Sequence, residues 1–188
     1  MKLIFLGTVG VPPLTDKYMF ENAKWIIQSS KKYNDGKVII VGHNDHIQKG
    51  IALNANENRQ LGYWLDNEYK KKYYNIGSEF SRGLFYSYDM NDDYKLKVFQ
   101  VDKSIKNDMA ARLFEKTNIS MFCLDLKATV QDNTNFLNFI LSINRYNSIG
   151  AIYDDKKDDF GVDDLILKDM YDAILYIKDS NNTSPLSI

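Results

Sequence analysis

Apolar runs of strand length alternate with amphipathic segments of helix length along almost the whole chain, and no other feature restricts the fold as much. After the breaker Pro12-Pro13, Thr15 or Asp16 can cap a helix carrying Met19, Ala23, Trp25, Ile26 and Ile27. Asn34-Asp35-Gly36 ends that helix as a turn, and the apolar strand Lys37 to Val41 follows. A polar loop, Gln48 to Asn58, leads to a helix at Arg59 to Lys72 with Leu61, Trp64, Leu65 and Tyr69 on one stripe.

The next segments read as a strand at Tyr73 to Phe80, a turn at Ser81-Arg82-Gly83, a short strand at Leu84 to Tyr88, and a strand at Leu96 to Val101. Helix and strand then alternate again: Lys106 to Glu115, Ser120 to Leu126, Asn135 to Ile143 and Ile149 to Tyr153. A loop rich in Asp and Lys precedes a short helix near Asp164 to Met170, and Tyr171 to Ile177 is the last strand. Such alternation predicts a layered α/β fold: a mixed, mostly parallel sheet flanked by helices, with Tyr73 to Val101 as a small antiparallel insertion. The 188 residues suffice for one domain with a real core, and no linker divides them.

Charge narrows the function. With 24 basic and 25 acidic residues the formal net charge is −1, so no global field favours a nucleic acid or an anionic membrane. The run Lys70-Lys71-Lys72 falls at a predicted helix end, where cations suit the macrodipole. The single cysteine, Cys123, excludes an internal disulfide and a cysteine zinc cluster, and its apolar neighbours predict a core position. No apolar stretch reaches the roughly 20 residues that span a bilayer. Met1 to Val11 lacks the small-residue cleavage site of a signal peptide, so the expected location is cytoplasmic.

Both histidines of the chain, His43 and His46, stand together in Gly42-His43-Asn44-Asp45-His46, where the strand ending at Val41 leaves the sheet. Open α/β sheets bind ligands beyond the carboxyl ends of their strands. At neutral pH an imidazole serves as base or acid, so the pair could activate a water and steady a developing oxyanion. Two other readings stay open: hydrogen-bonded loop histidines without chemistry, and a metal site with a carboxylate as third ligand. Arg82 is a candidate for binding a substrate oxygen or carboxylate. Glu79 could orient a histidine, and Tyr63, Trp64 and Tyr74 could wall an apolar pocket. Neither a Gly-x-Ser-x-Gly elbow nor a Gly-rich phosphate loop is present.

Lys37-Val38-Ile39-Ile40-Val41-Gly42-His43-Asn44-Asp45-His46-Ile47 resembles the Lys-Val-(apolar)-Gly/Ala-His-Asn-x-His signature of the erythromycin esterase-like family. Asp16 to Trp25 is similar to the family's Arg-Asp-x-x-Met-Ala-x-Asn helix. Leu61 to Phe85 resembles its Gly-x-x-Leu…Tyr-Tyr-x-Ile-Gly…Gly-x-Phe block, and Ile149 to Asp154 and Tyr171 to Ile177 resemble its closing strands. The resemblance implies a metal-independent, cofactor-free hydrolase of small-molecule esters or macrolactones, with a histidine activating water. It implies that His43 and His46 form the active-cleft pair, polarising the ester carbonyl or supporting the water-activating base. Asn44, Arg82 and Glu79 are expected to contact substrate beside them, Arg82 and Glu79 by their place in the Leu61 to Phe85 block and not by a motif.

The chain departs from the family in two respects. Thr15 stands where the family has arginine, and Phe20 where it has a small residue. Nothing resembles the family's N-terminal Gly-Glu-x-x-His motif, which by the resemblance supplies the water-activating histidine and a glutamate, so the chain reads as the C-terminal half of such a domain. An isolated half would expose a strand edge and an apolar face, predicting self-association or a need for the missing N-terminal half, with little esterase activity alone. The rival readings are a non-catalytic subunit that completes a fold with another chain, and a His-x-x-His metal- or haem-binding module.

Overall fold

A computed structural model describes residues 2–5, 15–53, 59–102, 109–127 and 134–182. They form two compact units, divided near Ile51 and at Asn75.

The first unit opens with strand β1 (Lys2–Phe5), which pairs in parallel with β2 (Val38–Val41). Between them lies helix α1 (Thr15–Asn34), which starts and ends where the cap and the Asn34-Asp35-Gly36 turn of the sequence put it. It stops where Asp35 and Gly36 take positive φ, a conformation glycine adopts without a Cβ clash. The one-turn helix α2 (Asn44–Ile47) and helix α3 (Leu61–Tyr69) follow, and Lys70 to Lys72 form a 3₁₀ turn. Met19, Phe20 and Ala23 of α1 face Leu61 and Leu65 of α3, the i, i+3/i+4 spacing of two packed helices. Trp25 does not join them: it is exposed, because it projects from the opposite side of α1. Gly62 sets the approach of α3, since a Cβ there would lie 2.1 Å from the Ile47 carbonyl oxygen and 2.3 Å from that of Gln48. Only glycine lets the helix sit so close to that backbone.

The second unit is built on β3 (Ile76–Asp89), which pairs antiparallel with β4 (Leu96–Asp102) and parallel with β9 (Ala173–Ser180). β5 (Met121–Asp125) is antiparallel to β9, and β7 (Ile152–Tyr153) adds two residues beside the end of β3. The sheet order is β4-β3-β9-β5. Helices α4 (Ala110–Glu115) and α5 (Thr134–Leu141) precede β5 and the strand β6 (Ile143–Asn147). β6 pairs antiparallel with β8 (Val162–Ile166), which runs directly into α6 (Leu167–Met170). The mixed α/β class read from the sequence, with its small antiparallel elements, is the one observed.

Several local expectations change. Ser81-Arg82-Gly83 is not a turn, because β3 runs through it, with Arg82 opposite both Asp179 and Asp102. Gly83 is there for closeness: a Cβ would lie 2.2 Å from the Ser180 carbonyl oxygen. Asp164, Leu165 and Ile166 are strand residues of β8 and not helical, since they pair with Arg145, Asn144 and Ile143 of β6, a strand the helical pattern of its neighbourhood concealed. Cys123 is exposed and not core. On β5 the odd positions 121, 123 and 125 are exposed while 122 and 124 turn inward, as strand alternation requires. The polar loop beyond Leu53 and the start of the helix predicted from Lys106 lie outside the described residues.

Candidate active site

The two histidines share a single helical turn, His43 as its N-cap and His46 within it. β2 ends at Val41, and His43, in extended conformation, is the N-cap of α2. Its carbonyl accepts from the amides of His46 (3.1 Å) and Ile47 (3.3 Å), which closes the turn. Its Nδ1 lies 3.4 Å from the Asp45 amide nitrogen, which donates to it, and 3.4 Å from Asp45 Oδ2. Asn44 is the first residue of the turn, and its carbonyl accepts from the Gln48 amide at 3.0 Å.

His46 is tied to a distant part of the chain. Its Nδ1 lies 2.8 Å from Asp16 Oδ1, on the first turn of α1. The same oxygen accepts the amide of Leu61, at the start of α3, at 3.0 Å. The other end of the turn is held too: the Ile47 carbonyl accepts from the Tyr73 hydroxyl at 2.6 Å and from Asn75 Nδ2 at 2.8 Å. Gly62 rests on that carbonyl from the side of α3. The sequence does not single out Asp16, Gly62, Tyr73 and Asn75 as functional residues, although each lies in a block that resembles the family's. Their common target is the histidine turn.

The imidazoles are partly open: side-chain exposure is 33% for His43 and 25% for His46, against 14% for Asp16. Nearby on α3, Tyr63 and Trp64 meet edge to face with centroids 5.4 Å apart, and the Arg59 guanidinium lies 4.7 Å over the Tyr63 ring. Trp64 also stacks on Phe20, so it is half core, while Tyr74 is exposed.

The other two predicted site residues belong to the second unit, both on β3, and their odd spacing puts them on opposite faces of the strand. Glu79 is 1% exposed. Its carboxylate accepts from the amides of Phe80 (2.9 Å) and Asn147 (3.1 Å) and from the Asn147 side-chain amide. Burial pushes the neighbouring Tyr146 hydroxyl well above its ordinary pKa, and the charge of Glu79 adds to that. Arg82 points outward and bridges Glu115 Oε1 and Asp179 Oδ1, both at 2.7 Å. Those two carboxylates, Glu115 foremost, hold its guanidinium still more firmly protonated than usual. Among the described residues no cluster of three or more His, Cys, Asp or Glu side chains is placed to hold a metal ion. Nor, among them, is any helix long and apolar enough to cross a membrane.

A mixed α/β fold with a histidine turn at the end of a parallel strand defines the class, and comparison with known proteins supplies the family. The family model described as erythromycin esterase matches residues 10–180, and the chain belongs to that family. Among solved structures, a Bacillus cereus protein aligns with a TM-score of 0.74 at 22% identity, over 88% of this chain and 38% of its own. A succinoglycan biosynthesis protein aligns with a TM-score of 0.73 at 21% identity, over 90% of this chain and 38% of its own. A histidine-to-asparagine variant of the erythromycin esterase EreC, in its open conformation, aligns with a TM-score of 0.58 at 14% identity, over 94% and 39%. This chain thus spans about two fifths of the length of each of these structures. No curated protein sequence matches it.

Proposed function

We propose that this chain carries the histidine-bearing part of a hydrolase that opens a carboxylic ester or macrolactone without a metal or cofactor. Water adds to the ester carbonyl, the acyl–oxygen bond breaks, and the products are a carboxylic acid and an alcohol. His43 and His46 handle the proton and the charge that develops on the carbonyl oxygen. The observation that carries this reading is the anchored turn. Four residues from three other segments (Asp16, Gly62, Tyr73 and Asn75) hold the backbone and one imidazole of a four-residue element while both rings stay partly open. A loop whose histidines merely satisfy hydrogen bonds needs no such bracing. In this reading Asn44 contacts substrate beside the rings, and Arg82 and Glu79 support the sheet of the second unit.

The remaining catalytic groups are proposed to lie in the rest of an erythromycin esterase-like fold, so the test uses this chain and, separately, this chain joined to the N-terminal part of a family member. Hydrolysis of a macrolide or an aryl ester that disappears in His43→Ala and in His46→Ala supports the site. Turnover indifferent to both substitutions refutes it.

A second reading, a subunit that works by completing a fold with another polypeptide, is favoured by one face of the sheet. Ile76, Tyr86 and Tyr88 of β3, Leu96 and Val98 of β4 and Leu175 of β9 are all exposed on it. A contiguous exposed apolar patch on a sheet face is the kind of surface a partner covers. Concentration-dependent association in sedimentation experiments, without ester turnover, favours this reading.

A further inference from the structure

Two cations stand next in the chain to the groups that meet at Asp16, and both rest on aromatic rings. Lys17 follows Asp16 on α1, and its Nζ lies 6.0 Å from the centroid of the Trp64 ring. Arg59 stands two positions before Leu61, whose amide bonds Asp16 Oδ1. Its guanidinium lies 4.7 Å over the Tyr63 ring and 5.9 Å from the Trp64 centroid. We propose that Lys17 and Arg59, set on Tyr63 and Trp64, form an oxyanion-binding subsite beside the histidine turn. The ester that the protein hydrolyses then carries an anionic group, a carboxylate or a phosphate. The inference rests on the proposed reading of the turn as a hydrolytic site, and it names a substrate class for that site.

The charge of this pair is left over for a ligand. Among the described residues neither Lys17 nor Arg59 has a carboxylate partner, while the carboxylates of α1 and α3 nearby are engaged by other groups. Asp16 takes His46 and the Leu61 amide, Glu68 lies 3.5 Å from Lys24 Nζ, and Asp66 lies 3.8 Å from Lys49 Nζ. Lys17 reaches the indole and makes no pair with Glu21, four residues along the same helix, where such pairs readily form. Both cations are exposed, so a solute can reach them. Both also lie within 6.0 Å of one indole centroid, so their fields add over a single patch. A guanidinium lying over a ring keeps its N–H edge for a ligand, and that planar fork matches two oxygens of a carboxylate or phosphate. The chain holds this patch close to the histidines. His46 Nδ1 is 2.8 Å from Asp16 Oδ1, which is 3.0 Å from Leu61 N. Two more residues of backbone, at most about 7 Å, reach Arg59. An ester at the rings therefore needs only a short carbon chain to bring a charged end to the two cations.

The chain has two tryptophans, Trp25 and Trp64, so its ¹H–¹⁵N spectrum holds two indole N–H signals, which Trp25→Phe assigns. The protein is titrated with monomethyl glutarate, an ester bearing a carboxylate, with inorganic phosphate, and with dimethyl glutarate, a neutral diester. The expected result is a saturable shift of the Trp64 signal with one or both anions and none with the diester. Binding should weaken about tenfold in Arg59→Gln and in Lys17→Gln, the worth of a hydrogen bond to a charged group, and stay unchanged in Lys71→Gln. Tighter binding of the glutarate identifies a carboxylate-bearing ester, and tighter binding of phosphate a phosphate-bearing one. Equal shifts with the neutral diester, binding that survives both substitutions, or no saturable shift with either anion overturns the proposal. The titration needs no turnover, so the two readings fail separately. Hydrolysis of a neutral aryl ester without anion binding sinks the subsite alone, and anion binding without hydrolysis of any ester sinks the hydrolase reading alone.

Discussion

The histidine turn and the Glu79 cluster are both polar groups held by hydrogen bonds, yet they differ in what those bonds leave over. Glu79 is almost wholly buried, and three N–H groups converge on its two oxygens. In the histidine turn Nδ1 of each ring has a partner, and a quarter to a third of each side chain still reaches the surface. Complete satisfaction in a dry interior fixes a sheet, whereas partial satisfaction at an open edge aims a reactive atom. On the proposed function, the contrast puts the chemistry in the first unit and architecture in the second, although both clusters contain residue types a catalyst uses.

The sharpest way to break that contrast is to remove one member of each cluster. His46→Ala is expected to lower ester hydrolysis by roughly a hundred- to ten-thousand-fold, the usual worth of a positioned acid or base, with little change in unfolding midpoint. Asn147→Ala is expected to do the reverse. It strips the side-chain amide donor from a buried carboxylate, leaves the two backbone N–H donors in place, and costs about 1–3 kcal/mol of stability, measured by urea unfolding, while the fraction that remains folded keeps its turnover. If Asn147→Ala abolishes turnover in folded protein and His46→Ala does not, the assignment of the two units is the wrong way round.

Gly62→Ala asks whether the bracing of the turn matters. The added methyl would lie 2.1 Å from the Ile47 carbonyl oxygen, so α3 or the turn must shift. A loss of about 1–3 kcal/mol is expected, as for overpacking, together with a changed environment for both histidine rings by NMR. A loss of stability without a change at the rings would show that α3 carries the strain and the turn is not held by it.

How much of this was legible beforehand depends on the range of the interaction. The strand that delivers the histidines, and the end of the helix before it, are local patterns, and both appear at Val38 and Asp35. What the sequence concealed is set by partners distant in the chain. Ser81-Arg82-Gly83 has turn composition, yet it is strand because β4 and β9 pair with it on either side. Cys123 sits among apolar neighbours, yet alternation on β5 turns it outward. Asp16 looks like a helix cap, and nothing local says that an imidazole thirty positions away depends on it. The histidine motif was readable, but the residues that aim it belong to other segments.

The smallest expected effect lies at a third polar cluster, the exposed turn between β3 and β4, and it tests whether surface pairing contributes as the buried pairing does. Lys95 and Lys97 bond the Asp92 carboxylate and lower its pKa from 3.8 to about 2. Because the folded value lies below the unfolded one, the pairing stabilises the fold above about pH 4 and is lost as pH falls towards 2. Asp89, held low chiefly by Lys97, and Asp154, held low chiefly by Asn91, act in the same direction. Asp92→Asn should therefore lower the unfolding midpoint slightly at neutral pH and flatten its acid limb, so that variant and wild type converge near pH 2. Solvent and salt screen such pairs, so the difference should shrink further in concentrated salt. A difference that persists at pH 2 or in high salt would mean that Asp92 acts through hydrogen bonding in the turn and not through its charge.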